Sequence, residues 1–335
     1  MARKLIEKLI LLLIIVQVFG KKLTSQKSLI SKKSQLQRDF QQFKKTYSKS
    51  YESNEHESYR FNVFLENIKK ADILNNENPS AEYGITQFSD LTNDEFLSIY
   101  ANGQPPSQVD IFDSYVQNTS GTEKTQVNIP QTWDIRINGP GQLQQVKNQG
   151  SCGTAWAFAV SSTIENLYSF QKNLNYNFSE QQLIDCTYPG FNGCQIGWLA
   201  DFYTYVKTTG LQYTSRYPYT GIYGTCQDKY QGYLYKINSF KVLQQDSNSI
   251  KQALVTNGAI SVAVDAKNWQ YYKSGIFQDY YPTKPNKGAT IIGYGPNYWL
   301  LRNSWGTSWG ENGHIRVAND GSGQIYLQWA FQPYL

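Results

Sequence analysis

The feature that most constrains the fold is residues 149–158, which have the sequence QGSCGTAWAF. The segment begins with small residues typical of a loop. It then runs into an amphipathic pattern that predicts a helix from Trp156 to roughly Asn173. Later runs rich in β-branched and aromatic residues predict strands. These runs cover 260–265, 290–294, 298–302 and 314–317. Helices followed by strands predict an α+β chain with two subdomains.

Residues 149–158 resemble the active-site segment of the papain family of cysteine proteases. In that family a Gln precedes a structural Cys, and the nucleophilic Cys stands immediately before a Trp, with a His and an Asn roughly 130–150 residues downstream. The resemblance is continuous from Ile129 to the C-terminus. It implies a papain-like fold, in which a substrate groove lies between a helical left half and a β-barrel right half.

The four catalytic positions of the family map onto Gln149, Ala155, Lys287 and Asn303. A thiol peptidase needs a thiolate nucleophile and an imidazole that transfers the proton. Here Ala155 stands at the position of the Cys, and Lys287 stands at that of the His. The resemblance implies that Asn303 would orient the missing imidazole, shielded by Trp305. It also implies that Gln149 and the backbone N–H of Ala155 would form the oxyanion hole.

These two substitutions predict a catalytically inactive homologue that acts by binding a peptide or protein in the groove. One alternative is an active peptidase with a non-Cys nucleophile, Thr154 or Ser151, and with a desolvated Lys287 as the base. A second alternative is a structural or storage protein in which the fold is only a stable shell. The chain has two His, His56 and His314, and the resemblance places neither where the base should be.

The resemblance also implies which residues bind the ligand. They are Gly197, Trp198, Leu199, Ala263, Pro285, Asn286 and Trp305. A Trp at position 198 predicts a filled or narrow second subsite, with core packing as the alternative reading. The expected occupants of the groove are a peptide or protein ligand and the chain's own prosegment.

Apolar residues at helical spacing predict two helices within residues 30–78. A pattern R-x3-F-x2-N-x3-A-x3-N that begins at Arg60 resembles the interrupted motif of cathepsin L-type prosegments, and residues 84–90 resemble their second motif. The motifs and the composition together predict four parts of the chain. They are a signal peptide at 1–20, a helical inhibitor prosegment at 21–100, a linker at 101–126 and a peptidase-like domain at 127–335. Because an inert enzyme cannot excise its own prosegment, the prosegment is expected to stay attached.

The first 20 residues have a basic start and an apolar run, Leu9 to Val16, that is short for a membrane span. They predict a cleaved secretory signal, with an uncleaved anchor as the alternative, and no other segment is predicted to cross a bilayer. The chain is expected to be a monomer in the secretory pathway, either extracellular or in a lysosome or vacuole. Sequons at Asn118 and Asn177 are expected to be glycosylated. The net charge is +5, but no basic run alternates with aromatic residues, so nucleic-acid binding is not predicted.

The four cysteines all lie in the C-terminal two-thirds of the chain. They are Cys152, Cys186, Cys194 and Cys226. An even number of cysteines in an exported chain favours disulfides. Zinc is the alternative, but the spacings of 34, 8 and 32 residues match no common zinc pattern. The resemblance implies the pairs Cys152–Cys194 and Cys186–Cys226, and neither a metal nor a cofactor is predicted.

Overall fold

The structure is a computed structural model. It describes residues 33–103, 127–188, 190, 192–195, 197–227, 232–279, 284–321, 323 and 325–335. The predicted signal peptide, most of the predicted linker and the sequon at Asn118 lie outside these residues. The chain divides into two compact units between Glu66 and Asn67.

The first unit contains a helix over residues 33–46, α1, and the first half of a long helix, α2, at Asn54–Glu77. Aromatic side chains join the two helices. The Phe40 ring lies 5.1 Å from that of Phe61 and 5.3 Å from that of Phe64, measured between centroids. Phe40 and Phe64 are both buried, so their contact removes apolar surface from water. The two helices predicted from the apolar spacing are therefore confirmed.

The second unit begins within α2 and contains the remaining helices of the described residues. They are α3 (Asn93–Tyr100), α4 (Ile135–Asn138), α5 (Ala155–Lys172), α6 (Glu180–Cys186), α7 (Leu199–Thr208) and α8 (Ser247–Asn257), with a 3-10 turn at Trp269–Tyr271. Thr92 caps α3 in a reciprocal pair of bonds with Glu95, and Ser179 caps α6. Such caps satisfy N–H groups that the first helical turn leaves unpaired.

The strands of the second unit form a single sheet within the described residues. They are β1 (Ala81–Tyr83), β2 (Trp133–Asp134), β3 (Ser239–Val242), β4 (Ile260–Val264), β5 (Tyr272–Phe277), β6 (Lys287–Tyr294), β7 (Tyr298–Arg302), β8 (His314–Ala318) and β9 (Ile325–Tyr334). The order is β1-β5-β8-β7-β6-β4-β9-β3, and β2 pairs with β6. Every pair is antiparallel except β5 with β8. Because β1 belongs to the predicted prosegment, that segment extends the sheet by one strand.

The predicted strands match β4, β6, β7 and β8, with one shift of boundary. β6 begins at Lys287, three residues before the predicted start at residue 290. Its pairing with β4 causes the shift, because that ladder places Lys287 opposite Val264. This long-range pairing makes the lysine part of a strand with both faces buried.

α5 is the central helix of the second unit. The structure buries every residue from Ala155 to Ser169, so the prediction of an amphipathic helix is wrong. Several polar side chains of α5 find partners in the interior. Thr163 Oγ1 lies 2.5 Å from the Tyr203 hydroxyl, for example. The helix ends at Asn173, whose φ of 55° is the left-handed conformation typical of a helix end.

The two disulfides join Cys152 to Cys194 and Cys186 to Cys226, which are the pairs that the resemblance implied. The first anchors the loop before α5, and the second anchors the end of α6. Crosslinks that close loops of this length typically contribute about 2–4 kcal/mol. Within the part of the chain that the structure describes, no helix has the length and apolar character needed to cross a bilayer.

Candidate active site

Ala155 is the first residue of α5, where the helix dipole favours negative charge. The preceding residue, Thr154, occupies the cap position. Its hydroxyl is buried, makes no capping bond and has no partner among the described residues. A methyl group has neither a proton to give up nor a lone pair to attack with. The helix N-terminus would stabilise an anion at this position, but alanine has no group that can carry the charge.

The start of β6 passes directly beside the start of α5. Gly288 lies so close that an added Cβ would be 2.9 Å from Trp156 Cα and 3.1 Å from the Ala155 carbonyl oxygen. Only a residue without a side chain allows this approach. The residue next to Lys287 on β6 therefore packs against the first residues of α5.

Lys287 is fully buried. Its Nζ donates hydrogen bonds to Gln149 Oε1 and Ser304 Oγ, each at 3.2 Å, and lies 4.4 Å from the centre of the Trp305 ring. Burial lowers the pKa of the Lys287 amine well below its ordinary value. No salt bridge reaches this amine within the described ranges. Its hydrogen-bond partners, Gln149 and Ser304, carry no charge that would offset this shift.

Gln149 is also fully buried, and both ends of its amide are engaged. Its Oε1 accepts a bond from Ser304 Oγ at 2.7 Å in addition to the bond from Lys287. Its Nε2 donates to the Cys152 carbonyl oxygen at 2.9 Å. The side chain predicted to support an oxyanion hole thus presents its oxygen, not its N–H donors, to the lysine.

Asn303 follows β7 and is nearly buried. Its Oδ1 accepts a bond from Ser304 N at 2.8 Å, and its Nδ2 is buried without a partner in the described structure. Among these residues, the hydrogen bonds of Lys287 go to Gln149 and Ser304 and not to Asn303. Asn303 therefore does not orient the amine that stands in place of the imidazole.

Trp305 lies between Lys287 and the predicted prosegment. The rings of Phe88 and Phe96 meet the Trp305 indole edge-on, with centroids at 5.1 and 5.4 Å, and Tyr100 lies at 6.0 Å. These aromatic contacts seal one side of the site and are of the geometry that aromatic pairs prefer. A polar contact adds to them, because Gln87 Nε2 donates to the Trp305 carbonyl oxygen at 3.1 Å.

After α3 the chain enters the groove itself. Gly103 N donates to the Asn286 carbonyl oxygen at 2.9 Å. Asn102 packs against Gly153, where an added Cβ would lie 2.2 Å from Asn102 Oδ1. A separate internal cavity of about 20 Å³ lies beneath Ala155, between α5, β6 and the end of β7. In this form the site is closed by the chain's own segment.

The residues predicted to line the groove fall into two sets. Trp198, Leu199 and Ala263 are buried in the core of the helical half, and the Trp198 ring lies 5.1 Å from that of Trp156. Gly197 is also buried there, with space for no side chain beside Phe202 and Trp156. The second set lies against the prosegment. It consists of Trp305, which packs on Phe88, and of Pro285 and Asn286, which lie beside Leu97, Ala101 and Asn102.

Neither histidine belongs to the site. His314 lies in β8, where its Nδ1 contacts the carbonyl oxygens of Glu311 and Asn312. Burial, with Arg136 and Arg302 nearby, lowers the pKa of His314 to about 4. His56 lies in the first unit, where its ring accepts a bond from Arg60. The site at Ala155 thus contains no imidazole.

The sequence reasoning missed Ser304, which bonds both Lys287 and Gln149. It also missed a buried ionic cluster beneath α5. Lys147 Nζ lies 2.6 Å from both Glu165 and Glu180. Ser304 is adjacent to Asn303, which the motif located. A search for hydrogen-bond partners of a buried Lys287 could therefore have identified Ser304. The ionic cluster gave no such signal, because its members are widely separated along the chain.

Two family models match this chain. The model for papain family cysteine proteases matches residues 129–330. The chain belongs to the papain family of cysteine proteases. The model for the cathepsin propeptide inhibitor domain matches residues 40–96. The papain-family sequence is therefore preceded by a prosegment domain, as the motifs predicted.

Individual papain-family relatives agree with this assignment. Papain of Carica papaya is 35% identical over 291 residues, which cover 86% of this chain and 82% of papain. Cathepsin L 2 of Paramecium tetraurelia is 34% identical over 281 residues, which cover 82% of this chain and 86% of that protein.

Solved structures of papain-family precursors agree as well. The digestive procathepsin L 3 of Tenebrio molitor larval midgut superposes with a TM-score of 0.77 at 28% identity, over 90% of this chain and 99% of that one. A recombinant stem bromelain precursor superposes with a TM-score of 0.73 at 34% identity, over the same shares. The papain-like fold with a helical prosegment is confirmed.

Proposed function

We propose that this papain-family homologue is catalytically inactive and acts by holding a peptide or protein segment in its groove. The observation that carries the proposal is the pair at the reacting centre. Ala155 offers a methyl group where the thiolate should be, and Lys287 offers a buried amine where the imidazole should be. Covalent catalysis needs an activated nucleophile within hydrogen-bond reach of a base, and Ala155 supplies no nucleophile.

A non-Cys nucleophile has little support from the geometry. The Lys287 amine is engaged by Gln149 and Ser304. Thr154 Oγ1 is buried with no partner in the described chain, so the lysine does not activate it. Ser151 lies outside α5 and is exposed. An active peptidase with Lys287 as its base therefore lacks the nucleophile–base bond that such a mechanism requires.

Binding, by contrast, uses features that remain. The groove accepts an extended segment at its backbone, as the bond from Gly103 N to Asn286 O illustrates. The prosegment also adds β1 to the sheet and packs its aromatic rings on Trp305. In this proposal the prosegment occupies the groove and is retained because the protein cannot cut it. When another peptidase removes the prosegment, a peptide or protein ligand binds in its place.

The proposal includes an exported, monomeric protein of the extracellular space or of a lysosome or vacuole. It rests on the signal-like start of the sequence, the two sequons and the two disulfides, which persist in oxidising compartments. No cofactor is part of the proposal. No cluster of His, Cys, Asp or Glu suited to a metal ion occurs within the described ranges.

The test is labelling of the purified full chain by a thiol-directed epoxide probe, together with turnover of a fluorogenic dipeptide. The prosegment is first cleaved by an added peptidase that is then removed. The native protein should show neither labelling nor turnover. The Ala155→Cys, Lys287→His double variant should be labelled, and each single variant serves as its control. Dipeptide turnover by the native protein that Lys287→Met abolishes would overturn the proposal.

The binding half of the proposal has its own readout. The cleaved native protein is titrated with a synthetic peptide of residues 84–103, and binding is followed by tryptophan fluorescence, because Phe88 and Phe96 pack on Trp305. A scrambled peptide is the control. Saturable binding of the native peptide alone is the expected result. Equal responses to both peptides would favour a structural or storage role instead.

A further inference from the structure

A second groove lies on the helical half of the second unit. Its volume is about 590 Å³, within the range of roughly 300–1,000 Å³ that is usual for small-molecule sites. It is lined chiefly by Asn148, Tyr176, Asn177, Tyr213, Ser215 and Tyr219. None of the four catalytic positions lines it, so it is a separate site from the one closed by the prosegment.

Tyrosine rings form one wall of this groove. The Tyr176 ring lies 5.0 Å from that of Tyr213 and 4.7 Å from that of Tyr235, measured between centroids. The Tyr213 and Tyr235 hydroxyls are hydrogen-bonded to each other, and the Tyr213 ring stacks on Phe178. Ring–ring contacts of this kind hold aromatic side chains in one orientation. The groove therefore presents a rigid apolar surface.

The rest of the lining is polar but carries no free charge. Asn148, Asn175, Asn177 and Ser215 contribute amides and a hydroxyl. The two charged residues, Lys147 and Glu180, are paired with each other at 2.6 Å. Ring faces beside neutral amides suit a ligand that has apolar C–H faces and many hydroxyl groups but no charge. A neutral sugar has this character, whereas an anionic or cationic ligand would find no partner of opposite charge.

Asn177 supplies the link to a particular sugar. It is the first residue of the sequon Asn177-Phe178-Ser179, and its side chain is exposed within the groove lining. Phe178 and Ser179 are fully buried. The Ser179 hydroxyl donates to the Tyr217 carbonyl oxygen at 2.7 Å and caps α6. Because the folded chain hides the third residue of the sequon, a glycan on Asn177 has to be attached before this segment folds.

We propose that the groove seats N-acetylglucosamine units, and that their source is a glycan carried by Asn177 itself. Attachment forms a bond from the Asn177 amide nitrogen to the anomeric carbon of the sugar. It breaks the bond from that carbon to the pyrophosphate of a lipid-linked sugar donor, and the amide releases one proton. The same groove chemistry would accept a free chitin-type oligosaccharide, so the two sources need separate arms of the test.

The first arm uses the full chain secreted by a eukaryotic host. An amidase that removes N-glycans is applied under native conditions, and release from Asn177 and Asn118 is followed by peptide mass mapping. Removal at Asn177 should be about tenfold slower, because ring contacts shield the sugar. Tyr176→Ala should abolish the difference. Tyr59→Ala is the matched control, since Tyr59 is exposed and does not line the groove.

The second arm uses the Asn177→Gln variant, which has no sugar of its own at this position. It is titrated with N,N′-diacetylchitobiose, and binding is observed by saturation-transfer NMR. Slow removal that depends on Tyr176 supports the proposal. An unoccupied Asn177, with chitobiose binding that Tyr176→Ala removes, overturns the proposed source and supports the groove as a site for free sugar. Rapid removal together with no chitobiose binding overturns the proposal altogether.

Discussion

Replacement of Lys287 by Met tests the neutral state of the buried amine. In the folded protein burial lowers the pKa of Lys287 well below 10.5, whereas in the unfolded chain the amine keeps its ordinary pKa. Between these two values the unfolded state binds one more proton than the folded state. The stability contributed by this residue therefore rises with pH, with a slope that approaches about 1.4 kcal/mol per pH unit. Lys287→Met removes that dependence.

The variant also loses two hydrogen bonds, those to Gln149 Oε1 and Ser304 Oγ. Each is worth about 0.5–1.5 kcal/mol. Gln149 Oε1 keeps the bond from Ser304 at 2.7 Å, so no acceptor is left unpaired. The stability of the variant relative to the native protein should therefore carry a constant loss of roughly 1–3 kcal/mol. In addition, the stability of the variant relative to the native protein should fall as the pH rises.

Urea unfolding of the full chain at intervals from pH 7 to pH 9 measures this difference. The range avoids the titration of histidine below it and of tyrosine above it. Lys284→Met is the matched control, because Lys284 lies on the same segment but is exposed. Parallel pH profiles for native protein and Lys287→Met would refute the neutral buried amine.

Two further predictions concern the prosegment and β8. Phe96→Ala should destabilise the closed form by about 3–5 kcal/mol, because Phe96 is fully buried against Trp305. Faster amide hydrogen exchange in α3 would report this opening. Ser98→Ala, at an exposed position of the same helix, is the control and should leave the exchange rate unchanged. His314 stays neutral in the fold down to about pH 4, so stability should fall by up to about 3 kcal/mol from pH 6.5 to pH 4 as the unfolded chain takes up the proton. His314→Phe should flatten that fall in acid unfolding.

The features that sequence reasoning predicted were those encoded by neighbours along the chain. Ala155, Lys287 and Asn303 were located from short motifs and their separations, without knowledge of any contact. The disulfide pairs and the prosegment followed from resemblance in the same way. Strands β4, β6, β7 and β8 were predicted from runs of β-branched and aromatic residues, because such side chains suit a pleated surface.

The failures have one cause, which is that burial is a property of the packed chain. α5 was expected to be amphipathic, yet residues 155–169 are all buried, and several of its polar side chains are paired with residues far away in sequence. For Trp198, the structure has the core packing that was the alternative reading, beside Trp156. A linear pattern records which residues are polar but not which partners satisfy them.

The sequence by itself determined that residue 155 is an alanine and residue 287 a lysine, because covalent structure decides which functional groups exist at all. Only the tertiary structure decided what the substituted residues do instead. It showed that Lys287 is buried and bonded to Gln149 and Ser304, that burial lowers its pKa, and that Trp305 lies between Lys287 and the prosegment. The physical reason is that charge state depends on solvation, and solvation depends on packing between distant parts of the chain.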